Sequence, residues 1–125
     1  MVLSAALFAA LAALLHVYIF LMESFWWTRP AIWRRFGVGS QNQAETIRPM
    51  AYNQGFYNLF LGIGALVGAV MLHSNVEVGR ALILFGCGAM LAAALVLMSS
   101  GHRYLRAAMT QGMLPLIAVV LTLGI

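Results

Sequence analysis

The sequence predicts an all-α fold: an integral membrane bundle of four transmembrane helices with a long amphipathic first cytoplasmic connection. Three observations predict it. Of 125 residues, 63% are hydrophobic and 8% charged, and the mean hydropathy is +0.93. The whole charge inventory is seven arginines and three glutamates, without Lys or Asp. A soluble domain needs a mixed charged surface on every side, so most of this surface must face lipid. Finally, the apolar residues fall into four runs, each close to the length that crosses a hydrocarbon core of about 30 Å at about 1.5 Å per residue.

The runs cover about 2–22, 50–72, 81–99 and 107–125, so that residues 1–125 make a single transmembrane domain. The first has no basic residue ahead of it and is longer than the apolar stretch of a signal peptide, which predicts a retained helix. The connection from Glu23 to Pro49 interleaves Trp26, Trp27, Trp33 and Phe36 with Arg29, Arg34 and Arg35. Aromatic rings beside cations suit the headgroup boundary, so this stretch is expected along the membrane surface, partly helical. Ser40 with Gln43 can cap a short helix there, and Pro49 suits an early position of the second spanning helix. The other connections, His73 to Arg80 and Ser100 to Arg106, are short and polar. Pro115 is expected to kink the last helix.

Arginine placement predicts orientation. The first and third connections hold Arg29, Arg34, Arg35, Arg48, Arg103 and Arg106, whereas the second holds Arg80 alone. That asymmetry puts the first and third connections in the cytoplasm and both termini outside, in the periplasm of a cell with an inner membrane. Membrane lipids are then the partners of these arginines, and nucleic acid is excluded. Small residues at four-residue spacing, Ala5, Ala9 and Ala13 and also Gly64 and Gly68, offer close helix approach. Cys87 is alone in an apolar run and reads as an unreactive buried thiol.

Polar groups inside the membrane cost several kcal/mol unless partnered, so their positions carry the functional information. His16 and Glu23 are seven residues apart, roughly on one face of the first helix. Asn53 with Tyr57, and Gln54 with Asn58, are i,i+4 pairs opening the second helix, and Thr110 and Gln111 stand in the first turns of the fourth. All lie in the cytoplasmic half, which predicts one polar cavity lined by spanning helices one, two and four. The ligand-binding set is therefore His16, Glu23, Asn53, Gln54, Tyr57, Asn58 and Gln111. The reading it favours is binding or translocation of a small molecule or ion, with a homo-oligomer supplying a pathway that so small a bundle lacks. One alternative is a membrane enzyme in which His16 and Glu23 form the catalytic acid–base pair on a lipid-soluble substrate. The other is a structural accessory subunit whose polar cluster locks the helices. His16, Glu23 and His102 lack metal-ligand spacing. No Gly-x-Ser-x-Gly motif or nucleotide loop occurs, and no cofactor is expected.

The segment HVYIFLMESFWWTRP from His16, followed by RRFGV, together with NQGFYN at Asn53–Asn58 and QGMLP at Gln111–Pro115, resembles the small membrane proteins of bacteria and fungi grouped as domain of unknown function 1304. The resemblance spans most of the chain and implies a four-helix membrane architecture without a particular activity. Its motif residues are the same His16, Glu23, Asn53, Gln54, Tyr57, Asn58 and Gln111. The end of the third spanning helix departs from the pattern: MSSGHRYL brings in His102, Arg103 and Tyr104, which leaves open whether His102 and Arg103 join the site.

Overall fold

A computed structural model describes residues Met1–Ile125. Helix α1 spans Val2–Ser24, α2 is a single turn over Pro30–Trp33 continued by a 3-10 turn over Arg34–Phe36, and α3 spans Gln41–Met71. Then come α4 over Val76–Ser99, a 3-10 turn over His102–Tyr104, and α5 over Leu105–Leu123. No strand is present, and α1, α3, α4 and the α5 segment are each long and apolar enough to cross a membrane. Each long helix packs on the next, and α1 on α5, so the four close into a square with α1 and α4 on the diagonal. Large apolar side chains such as Phe60, Phe85, Val96 and Val120 stand on the outer surface, where lipid is their natural solvent.

Small residues set the helix spacing. Ala5, Ala9 and Ala13 are at most 1% exposed, so the alanine stripe of α1 forms part of the core with Ala65, Ile83, Cys87 and Met90. The expected Gly64–Gly68 pair divides. A Cβ on Gly68 would meet Ile83 at 2.9 Å, whereas one on Gly64 would meet nothing. A glycine that does let α3 lie close to α1 is Gly62, where a Cβ would lie 3.1 Å from the Ala13 carbonyl oxygen. A row of four-spaced glycines cannot itself say which of its members faces a neighbour, because that depends on how the helix is turned.

The second spanning helix begins far earlier than its apolar run. Ser40 does cap, accepting from the Gln43 amide at 3.2 Å, while Gln43 accepts from the Gly39 amide at 3.1 Å. The helix so started is not short, because α3 continues through Pro49 for 31 residues, about 46 Å at the usual rise. Its first turns therefore stand outside the apolar slab, and Pro49 lies in its interior, with no N–H for the Glu45 carbonyl. The tryptophans clamp this extension: the Trp27 indole donates to the Ala44 carbonyl at 2.9 Å and the Trp33 indole to Gln41 Oε1 at 2.8 Å. Gly37 closes the turn after Phe36 in the left-handed conformation, φ 77°, which a side chain would resist. At the far end α4 starts at Val76 rather than near Ala81, because Asn75 accepts from the Val78 amide at 3.1 Å and caps it.

Candidate functional site

The polar residues of α1 and α3 sit where the alanine packing ends. Glu23, in the last turn of α1, is only 6% exposed. Asn58 Nδ2 donates to its Oε1 at 3.0 Å, and in the next position Ser24 donates to the Tyr52 carbonyl of α3 at 2.9 Å. The two helices can approach this closely because Gly55 lies between them: a Cβ there would run into Ser24 and come within 3.1 Å of the Phe20 carbonyl. Ser24 and Gly55 were not among the sequence candidates. The signal that could have found Gly55 is its place between two polar i,i+4 pairs.

Glu23 forms part of a cavity of about 270 Å³, with Gln54, Trp27, Phe36, Ile47 and Met50 around it. No buried side-chain nitrogen or oxygen lacks a partner, so Oε2 of Glu23, which has none, reaches open space. The arrangement is one carboxyl group held by a neutral amide among apolar and aromatic walls, with no arginine in the cavity. It can accept a hydrogen bond from a donor whose body is apolar.

The other candidates do not converge there. Asn53 and Tyr57 are exposed on the outer face of α3, so the polar stripe splits: Asn58 is half-buried against Glu23 and Gln54, though exposed, lines the cavity, whereas Asn53 and Tyr57 do neither. His16 is buried at 2% exposure, and its Nδ1 donates to the Ala12 carbonyl of its own helix at 2.9 Å. It lies about 10 Å along α1 from Glu23 and lines neither cavity described here, so the structure does not bring the proposed acid–base pair together. Gln111 lies elsewhere, in a second cavity of about 700 Å³ between α1, α4, α5 and the first connection. Arg103 lines this cavity too, whereas His102 stays exposed outside it. The single polar cavity expected from helices one, two and four is thus two cavities, one toward α3 and one toward α4 and α5, with Phe36 in the wall of both.

The comparison with known families bears on the same residues. The family described as Protein of unknown function (DUF1304) matches residues 10–123. The chain belongs to that family. The match takes in His16, Glu23, the Asn53–Asn58 segment and Gln111, and extends through the spanning part of α5. No curated protein and no solved structure matches the chain.

Proposed function

We propose that this member of the DUF1304 family is a multi-pass membrane protein that binds a small molecule between α1 and α3 at the cytoplasmic boundary, with Glu23 as its polar anchor. One observation carries the reading: a carboxyl group buried to 6% exposure, in a chain rich in arginine, has a neutral amide as its hydrogen-bond partner and stands in the wall of a cavity. The ligand it suits is a hydrogen-bond donor, an amine or hydroxyl, on an apolar body small enough for about 270 Å³. Translocation would add a path through the bundle or between copies of it. The cytoplasmic assignment rests on the six arginines of the first and third connections against Arg80. A periplasm-active reporter fused after Ile125 is expected to be active, and a silent one overturns the orientation.

The binding test uses octylamine, titrated against the purified protein in lipid nanodiscs with tryptophan fluorescence as the signal, since Trp27 lines the cavity. Wild type is expected to saturate. Glu23→Gln keeps an oxygen for Asn58 and so keeps the fold, but it should weaken octylamine at least about tenfold, the worth of one charge-assisted hydrogen bond. Equal binding by both, or no saturation by either, rejects the reading.

A second reading, a helix-locking role, draws on the Asn58–Glu23 and Ser24–Tyr52 bonds that tie α1 to α3. It expects Glu23→Gln to behave as wild type and Glu23→Leu to lose its circular-dichroism helix signal on mild heating.

A further inference from the structure

The larger cavity has the opposite chemistry to the one around Glu23. Arg35, Arg103 and Arg106 line it, and Tyr18, Tyr104 and Gln111 are also in its wall. Its apolar walls include Leu15 and Ile19 of α1 and Leu97 of α4. From Leu15 to Met22, both in its lining, α1 rises about 10 Å, so the apolar wall at Leu15 reaches further into the bundle than Arg103 and Arg106 at the start of α5.

The three cations come from two separate connections, Arg35 from the first and Arg103 and Arg106 from the third, and have no carboxyl partner. The glutamates on this face are Glu23 and Glu45; neither lines the cavity, and their hydrogen-bond partners are Asn58 and Gln41. Other arginines at the same end are used differently: Arg29 lies 5.4 Å from the Trp26 ring centroid and Arg34 5.3 Å from that of Trp33. Two of the cavity arginines are held by tyrosines that also line the cavity. Tyr18 accepts from Arg35 at 3.1 Å, and Arg103 rests on the Tyr104 ring, 4.6 Å from its centroid, and donates to its hydroxyl. A guanidinium keeps five donors and its charge throughout, so most donors of this trio remain unfilled by the protein.

From this geometry we infer that the cavity between α1, α4 and α5 binds a phosphate group carried on an apolar chain, the phosphate held by Arg35, Arg103 and Arg106 and the chain lying against Leu15, Ile19 and Leu97. Its volume of about 700 Å³ is ample for such a head and the first part of its chain, and basic pockets between spanning helices at this depth suit lipid phosphate. A free phosphate ester would satisfy the same arginines without using the apolar walls. The inference does not rest on the Glu23 reading, and the two sites answer to different probes.

The test is titration of octyl phosphate against the full-length protein in phosphatidylcholine nanodiscs, read by native mass spectrometry. Saturable binding is expected, weakened about tenfold by Arg103→Gln and about a hundredfold by Arg103→Gln with Arg106→Gln. Arg35→Gln, on a different segment, should also cost about tenfold, which keeps the test valid if the double variant does not insert. Arg29→Gln and Glu23→Gln should leave octyl phosphate binding unchanged. Competition by inorganic phosphate at concentrations similar to octyl phosphate would assign a soluble phosphate source; octyl phosphate binding that inorganic phosphate fails to displace assigns a lipid headgroup. Absence of saturable binding, or equal binding by wild type and the arginine variants, overturns the inference.

Discussion

The two cavities flanking α1 share an end of the bundle and the Phe36 side chain, yet they are chemical opposites. Toward α3 there is a carboxyl group without an arginine; toward α4 and α5 there are three arginines without a carboxyl group. In a low-dielectric setting, a guanidinium within reach of Glu23 would pair with it and fill both valences at once. Keeping them in separate cavities leaves each able to engage something else. Segregation of charge, rather than its amount, makes this end of the molecule chemically interesting.

The wall between the cavities is the place to break that contrast. Phe36 also packs against Trp27, ring centroids 5.2 Å apart. Phe36→Ala removes a half-buried ring and is expected to cost about 2 kcal/mol in an unfolding titration, below the about 3–5 kcal/mol of a fully buried one. It should also join the cavities, so that octylamine and octyl phosphate both lose affinity in one variant. A change confined to one probe would mean that the two sites do not share this partition. Asn58→Leu should act on one side only. It strips the partner from Glu23 Oε1, at a cost of about 1 kcal/mol, typical of hydrogen bonds between helices in a membrane. Octylamine binding should change with it and octyl phosphate binding should not; a drop in both would show that the cavities are coupled through α1. The smallest effects belong to the outward pair. Asn53→Ala and Tyr57→Phe should each shift stability by less than about 0.5 kcal/mol and leave both probes unaffected. A tenfold loss of either probe in these variants would restore the single-cavity arrangement that the polar stripe suggested.

Much of the site could be read from the chain, but its partition could not. Glu23, Gln54 and Asn58 stood out because polar groups in apolar helices are costly, and they do come together. Asn53 and Tyr57 carried the same signal and face away. Neighbouring positions on a helix differ by about 100° in direction, so a stripe two residues wide straddles the boundary between packed and exposed faces. His16 was singled out for its chemistry, yet its Nδ1 is engaged by the Ala12 carbonyl of its own helix, which no spacing argument reveals. Arg35, Arg103 and Arg106 were read as determinants of orientation and lipid contact. Their convergence on a cavity depends on the turns at Gly37 and Gly101, the latter at φ 144°, which return two connections toward the same gap.

The sequence by itself determined that the chain is helical, that four segments are long and apolar enough to cross a membrane, and that cation-rich connections gather at one end of the bundle. These properties follow from hydropathy and length, which add up locally along the chain and need no partner. Only the tertiary structure decided how far α3 extends beyond its apolar run, which glycines serve as contacts, and how the polar groups divide between two cavities. Those outcomes depend on the rotation of each helix against its neighbours, and that rotation is set by small-residue packing summed over the whole bundle.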